Sequence, residues 1–192
     1  MISDKEVRRQ FLHILCGLFL ILLVYFNLGQ YVIYLALFVV LLSFIEIKYR
    51  VPIYDYVLRK FERPSETEGF RGQGLVFFLL GSAVVVAFFS RDVAMTSIIV
   101  LAFGDSISRL LGPSGLIKHP FNNERFVEGL IYGWIVATFA AWMFVPLIDA
   151  LIGSGFAMFA ESLNIKIKGE KIDDNLLIPI ICAVVLTFIN LI

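Results

Sequence analysis

Two acidic residues and one arginine interrupt a part of the chain that is otherwise strongly apolar. Asp105 and Arg109 lie within one apolar run, and Glu128 lies at the start of the next. An ionisable side chain at the centre of a membrane helix costs at least ~2.5 kcal/mol, so such residues are kept where the protein uses them. Carboxylates can bind a divalent metal ion, and basic side chains can bind phosphate. The segment from Phe103 to Gly129 is therefore predicted to form half of an active site.

A basic loop connects these two apolar runs. It contains Lys118, and Arg125 follows directly before the predicted start of a helix near Phe126. The backbone amides at a helix N-terminus favour anions, which makes this loop a candidate phosphate site. Asp105 and Arg109 are four residues apart and share one helix face, so a pair that only neutralises itself is the structural alternative. Gly129 and Gly133 form a Gly-x-x-x-Gly pair that predicts close helix packing.

Both ends of the chain carry further polar residues beside apolar runs. The first run begins with a polar stripe at helical spacing, formed by Glu6, Arg9, Gln10, His13 and Gly17. The last run is preceded by Asp173, Asp174 and Asn175. One residue of this trio is expected to serve as a helix N-cap, which leaves the others for chemistry. We therefore expect both termini to complete the site of the middle segment.

The composition predicts one integral membrane domain over residues 1–192. The chain is 59% hydrophobic, whereas soluble domains are about 45–50% apolar. The excess is concentrated in long runs, as in membrane proteins. Sixteen basic and sixteen acidic residues give no net charge, so nucleic acid is not expected as a partner.

The apolar runs predict an all-α membrane bundle of about seven transmembrane helices. The runs cover residues 11–28, 31–47, 74–89, 93–111, 126–148, 149–163 and 176–192. Residues 48–72 are mostly polar and predict a short interfacial helix from Val51 to Phe61. With the N-terminus in the cytosol, Arg91 is the one basic residue of 16 on the outer side. The same topology places the candidate carboxylates at the cytosolic face of the membrane.

Four stretches of the sequence resemble the polyprenol kinase family, which includes dolichol kinase, phytol kinase and CTP-dependent diacylglycerol kinase. The first stretch is Glu6-Val-Arg8-Arg9-Gln-Phe-Leu-His13, and the second is Arg71-Gly72-Gln-Gly74 at the start of the third run. The third combines Gly104-Asp105-Ser-Ile-Ser108 with Arg125-Phe-Val-Glu128-Gly129. The fourth combines Glu161-Ser162 with Asp173-Asp174-Asn175-Leu. Arg125 stands where that family usually has lysine.

This resemblance implies an enzyme that transfers the γ-phosphoryl group of CTP to the hydroxyl of a membrane lipid alcohol, most readily a polyprenol or dolichol. Magnesium or another divalent cation would assist. Phosphoryl transfer needs positioning, charge neutralisation and a base for the attacking hydroxyl. A lipid hydroxyl could reach a site at headgroup depth without leaving the bilayer.

Each candidate residue can be given a role in this reaction. Asp105 and either Asp173 or Asp174 would hold the metal. Glu128, or the other aspartate of the pair, would accept the hydroxyl proton. The triphosphate would be bound by Arg109, Lys118 and Arg125. Arg9, His13 and Asn175 would complete the catalytic and nucleotide-binding surface.

Other functions remain open at the level of sequence. A CTP-dependent cytidylyltransferase acting on a lipid phosphate would need the same nucleotide, metal and membrane geometry, but would release pyrophosphate where a kinase releases CDP. A small transporter would need polar residues in the outer halves of the spans, which are almost entirely apolar here. A purely structural membrane protein would leave the one-sided acidic residues unexplained.

Overall fold

A computed structural model describes residues 2–49, 51–61, 72–163, 165–167 and 170–191. Over these ranges the protein is helical apart from two short two-stranded hairpins and the connecting turns. The all-α prediction is therefore confirmed in its main point, while the hairpins were not predicted. Arg71 and the rest of the polar stretch 62–71 lie outside the described residues.

The described part of the first half of the chain forms helices α1 (Asp4–Tyr25), α2 (Gln30–Tyr49), α3 (Pro52–Phe61) and α4 (Gln73–Phe88). Ser3 caps α1, and its side chain accepts a hydrogen bond from the backbone N–H of Glu6. Helix α3 confirms the short helix predicted between the second and third apolar runs. Many large apolar side chains of α1 and α2 are exposed, among them Phe11, Phe19, Phe38, Leu41 and Phe44.

The central helix of the bundle has three parts. Helix α5 (Arg91–Ile99) continues through a π-helix (Val100–Asp105) into α6 (Ser106–Leu111). Its side chains from Val93 to Ala102 are buried, so other helices surround it. A 3₁₀ turn (Gly112–Ser114) ends this helix on the side of the basic loop.

The second half of the chain alternates hairpins with helices. A hairpin of β1 (Lys118–His119) and β2 (Asn122–Phe126) leads into α7 (Val127–Ala141) and α8 (Leu147–Ser162). A second hairpin of β3 (Lys166–Ile167) and β4 (Glu170–Lys171) precedes α9 (Asp174–Ile189). The prediction of a fifth span over residues 126–148 was wrong in its bounds. Helix α7 already ends at Ala141, and Pro146 is the N-cap of α8. Proline suits this position because it has no N–H to donate within a helix.

Within the described residues, three helices are long and apolar enough to cross a membrane: Asp4–Tyr25, Gln30–Tyr49 and Arg91–Ser114. The same residues contain three shorter apolar helices: Gln73–Phe88, Val127–Ala141 and Asp174–Ile189. These helices indicate an integral multi-pass membrane protein. The segment predicted as a sixth span is the helix α8, which does not belong to either group.

Small residues allow α7 to pack closely against the central helix. A Cβ atom on Gly129 would lie 2.8 Å from the Cα atom of Gly112, and one on Gly133 would lie 2.8 Å from the carbonyl oxygen of Gly104. The Gly-x-x-x-Gly prediction of helix packing is therefore confirmed. This contact fixes the position of the polar end of the central helix, where Asp105 and Arg109 lie.

Candidate functional site

The central helix changes its hydrogen-bonding pattern at Asp105. This residue ends the π-helix, and its side chain is buried. Arg109, one turn later in α6, donates from Nε to Asp105 Oδ1 at 2.6 Å. Short π-helical segments are frequent at functional sites, because the extra residue in the turn redirects the side chains around it. The predicted pair of Asp105 and Arg109 is thus present, but it is part of a larger cluster.

Helix α9 brings a second carboxylate to this pair. Asp174 lies in the first turn of α9, and its Oδ2 atom accepts a hydrogen bond from Arg109 Nη2 at 2.9 Å. The preceding residue, Asp173, is the N-cap, and its Oδ1 atom accepts from the backbone N–H of Asn175 at 2.9 Å. Burial raises the pKa of Asp173 to about 6. The two adjacent aspartates therefore have different roles: Asp174 contacts the arginine, and Asp173 caps the helix.

Strand β2 and helix α8 supply two more charged side chains that contact this group. Arg125 in β2 contacts Glu161 Oε1 through Nη1 at 2.5 Å and Asp174 Oδ2 through Nη2 at 2.8 Å. Glu161 lies in the last turn of α8 and also accepts from Ser108 Oγ at 3.3 Å. Each arginine thus bridges two carboxylates, and Asp174 is shared between both arginines. We call Asp105, Arg109, Arg125, Glu161 and Asp174 the charge cluster.

The three carboxylates of the charge cluster fit a divalent cation. Asp105, Glu161 and Asp174 are between 1% and 3% exposed, and one oxygen of each lies within 4.8 Å of the others. Magnesium binds oxygen ligands at about 2.0–2.1 Å, so opposite ligands are about 4 Å apart. Three carboxylates against two guanidiniums also leave one excess negative charge among these five side chains. These residues could therefore hold Mg²⁺, with hard oxygen donors from three separate helical elements.

His13 in α1 lies beside the charge cluster. Its imidazole is within electrostatic range of Asp105 and Arg109, and also of Arg9. The ring packs edge-on against Phe78 with the centroids 4.4 Å apart, and among the described residues its buried Nε2 atom has no hydrogen-bond partner. The N-terminal stripe is therefore brought to the middle segment, as the sequence predicted.

Three other candidates lie in different surroundings. Asn175 donates from Nδ2 to the carbonyl oxygen of Gly74 at 3.3 Å, which connects α9 to the start of α4. Lys118 is exposed on β1. Glu128, in the first turn of α7, accepts from the backbone N–H groups of Leu116 at 2.8 Å and Ile117 at 3.1 Å. Within the described part of the chain, the ion pairs of the charge cluster include neither Lys118 nor Glu128.

Glu161 is the member of the charge cluster that was not predicted from the sequence as a site residue. In the sequence it belongs only to the Glu161-Ser162 pair of the family resemblance. The position of Glu161 in the sequence could have indicated a site residue. It is an acidic residue in the last turn of an apolar helix, and a short polar segment separates it from Asp173 and Asp174. An acid at a helix C-terminus opposes the helix dipole, so it needs another reason to be there.

Comparison with known proteins adds a distant relationship. No protein-family model matches the chain, and no solved structure matches it. The chain is 27% identical over 186 residues to an uncharacterized protein of Methanocaldococcus jannaschii. The aligned region covers 95% of this chain and 93% of that protein. It is 22% identical over 155 residues to CTP-dependent diacylglycerol kinase 1 of Schizosaccharomyces pombe, over 71% of this chain and 68% of the kinase. The chain is distantly similar to a CTP-dependent lipid kinase.

Proposed function

We propose that this protein is a CTP-dependent lipid kinase that transfers the γ-phosphoryl group of CTP to the hydroxyl of a lipid alcohol. The observation that carries the proposal is the charge cluster, in which three buried carboxylates and two arginines meet at one end of an apolar helix bundle. Catalysis of phosphoryl transfer depends almost entirely on positioning and on electrostatic stabilisation. The distant similarity to a CTP-dependent diacylglycerol kinase supports the same reaction and nucleotide.

The carboxylates would hold the divalent cation. Asp105, Glu161 and Asp174 offer the oxygen ligands, and Asp174 replaces Asp173 as the preferred ligand of the aspartate pair because Asp173 caps α9. Magnesium in this position would supply charge neutralisation for the phosphate oxygens.

The arginines would bind the phosphates of the nucleotide. Arg109 and Arg125 each present two nitrogens toward carboxylate oxygens, and a guanidinium fits phosphate in the same two-pronged geometry. Lys118 is exposed on the hairpin that carries Arg125 and would add a further positive charge for binding the nucleotide. His13, whose Nε2 atom is buried beside Asp105 and Arg109, is our candidate for accepting the proton of the lipid hydroxyl, with Glu128 as the alternative.

The acceptor would approach within the membrane. A lipid alcohol presents its hydroxyl at headgroup depth, which is the depth expected for the polar end of the central helix. The excess of basic residues on this side supports a cytosolic orientation of the site. The family resemblance makes a polyprenol or dolichol the acceptor we favour, with phytol-like alcohols and diacylglycerol as the alternatives. The similarity to a CTP-dependent diacylglycerol kinase supports diacylglycerol among these.

The test is to incubate the purified protein in lipid nanodiscs with γ-labelled and α-labelled CTP, a panel of lipid alcohols and the corresponding lipid phosphates. A kinase transfers the γ-label to lipid and releases CDP. Release of pyrophosphate with transfer of the α-label would indicate a cytidylyltransferase instead. Absence of γ-label transfer from CTP to every alcohol, with Mg²⁺ present, would refute the proposal. Asp105→Asn is the matched control, because it keeps the side-chain shape and removes the charge of a proposed ligand.

A further inference from the structure

The hairpin that carries Arg125 is attached to α8 directly beside Glu161. Ser162 follows Glu161 in the chain and contacts both strands of the hairpin. His119 Nε2 in β1 lies 3.2 Å from Ser162 Oγ, and Asn122 Nδ2 in β2 donates to the carbonyl oxygen of Ser162 at 3.1 Å. His119, Asn122 and Ser162 are all buried, at 4%, 6% and 1% exposure. We call these three residues the hairpin anchor.

The hydrogen bonds of the hairpin anchor specify one tautomer of His119. Ser162 Oγ donates its single proton to the carbonyl oxygen of Phe159 at 2.6 Å, so toward His119 it can only accept. The proton of the ring must then be on Nε2. The Nδ1 atom is left as an acceptor, and the backbone N–H of Phe121 approaches it at 3.4 Å. Both ring nitrogens are therefore used when His119 is neutral.

We propose that His119 and Asn122 are positioning residues that hold Arg125 in place for binding the phosphates of the nucleotide. This inference rests on the proposed function. In the structure, Arg125 itself ties the hairpin to Glu161 and Asp174. When its guanidinium binds phosphate instead, those ion pairs weaken. The contacts of His119 and Asn122 with Ser162 are independent of that exchange and keep the hairpin attached to α8.

The geometry explains why a separate attachment is useful. Arg125 and Asn122 belong to the same strand, three residues apart, so fixing Asn122 limits the positions that the Arg125 guanidinium can reach. A preorganised guanidinium loses less conformational entropy on binding phosphate than one on a mobile segment. Loss of one buried hydrogen bond of the anchor should therefore weaken CTP binding by about 3- to 10-fold.

The experiment compares His119→Ala, His119→Gln and Asn122→Ala with the wild-type protein in nanodiscs. Hydrogen exchange of the hairpin amides reports the attachment, while CTP dissociation constants, KM and kcat report function. We expect His119→Ala and Asn122→Ala to speed exchange in the hairpin and to raise KM for CTP by about 3- to 10-fold, with kcat changed less than about twofold. His119→Gln should restore both, because its amide can donate to Ser162 Oγ. Leu116→Ala serves as the control, since that side chain is 92% exposed.

Two results would overturn the positioning role while leaving the proposed function intact. Unchanged hairpin exchange in His119→Ala and Asn122→Ala would show that Ser162 does not anchor the hairpin. Faster exchange with an unchanged CTP dissociation constant would leave a structural contact and remove the positioning role. A wild-type protein that does not bind CTP would refute the proposed function, and the positioning role with it, even where the exchange data confirm the attachment.

Discussion

Replacing Asp173 and Asp174 by asparagine, one at a time, tests whether Asp174 binds the metal while Asp173 only caps α9. Asp174 Oδ2 accepts from Arg109 at 2.9 Å and from Arg125 at 2.8 Å, whereas Asp173 accepts from the backbone of Asn175. A hydrogen bond to a charged group contributes about 1.5–3 kcal/mol and a neutral one about 0.5–1.5 kcal/mol. Asp174→Asn weakens two such bonds, so we expect a loss of about 2–3 kcal/mol of stability. For a protein of this size that lowers Tm by about 4–12 °C.

Asp174→Asn should also weaken metal binding, whereas Asp173→Asn should not. Removal of groups that only support a metal ligand costs about 10- to 100-fold in affinity, so loss of charge on a ligand itself should cost about 100-fold or more. Asp173→Asn should keep metal affinity within about threefold and Tm within about 2 °C, because asparagine caps a helix as well as aspartate does. Mn²⁺ titration followed by electron paramagnetic resonance measures affinity, and the fluorescence of Trp134 and Trp142 follows unfolding in nanodiscs. Equal losses of Mn²⁺ binding in both variants, or full binding in Asp174→Asn, would refute this division of roles.

Three further predictions follow from other parts of the structure. Gly129→Ala should lower Tm, because its Cβ would lie 2.8 Å from the Cα atom of Gly112; Gly112→Ala, whose Cβ meets Gly129 Cα at 3.4 Å, should have little effect. Mg²⁺ at about 100 times its dissociation constant should stabilise the folded protein by about 2.7 kcal/mol, a gain that EDTA reverses and that Asp174→Asn reduces to about 0.4 kcal/mol or less. Burial lowers the pKa of His119, so its contribution to stability is complete above about pH 6.5 and is lost as pH falls through the lower folded-state pKa. Hairpin amides should therefore exchange faster at pH 5 than at pH 7 after correction for intrinsic rates, and a pH dependence that persists in His119→Gln would contradict this.

The sequence predicted those parts of the site that depend on local periodicity. Asp105 and Arg109 share a helix face because they are four residues apart, and the same rule predicted the packing role of Gly129 and Gly133. Local periodicity could not identify Asp174 as the shared partner of Arg109 and Arg125. Asp174 lies 65 residues after Arg109 and 49 residues after Arg125 in the chain. Such contacts depend on how the helices pack, and hydropathy does not encode that.

The same limit explains the errors in the predicted elements. The apolar run after Phe126 continues through Trp142 to Val145, so composition alone gives no sign that α7 ends at Ala141. The strands of the two hairpins are two to five residues long, too short for a clear alternation of apolar and polar residues. Capping predicted that one residue of 173–175 would start α9. Which aspartate caps and which one faces Arg109 depends on the helix boundary to a single residue, beyond the accuracy of sequence patterns.

The cost of the charge cluster is itself an argument for its function. A buried network of ion pairs adds little stability over apolar residues of similar volume, because desolvation of the charges offsets their attraction. Stability therefore does not explain why Asp105, Glu161 and Asp174 are paired with two arginines in the interior. We propose that an exchange of partners explains it. The guanidiniums would turn to a polyanionic substrate, and the carboxylates would gain a cation at the same time. Since either change alone leaves buried charges unpaired, we expect CTP and Mg²⁺ to bind with positive coupling, each raising the affinity of the other by the same factor.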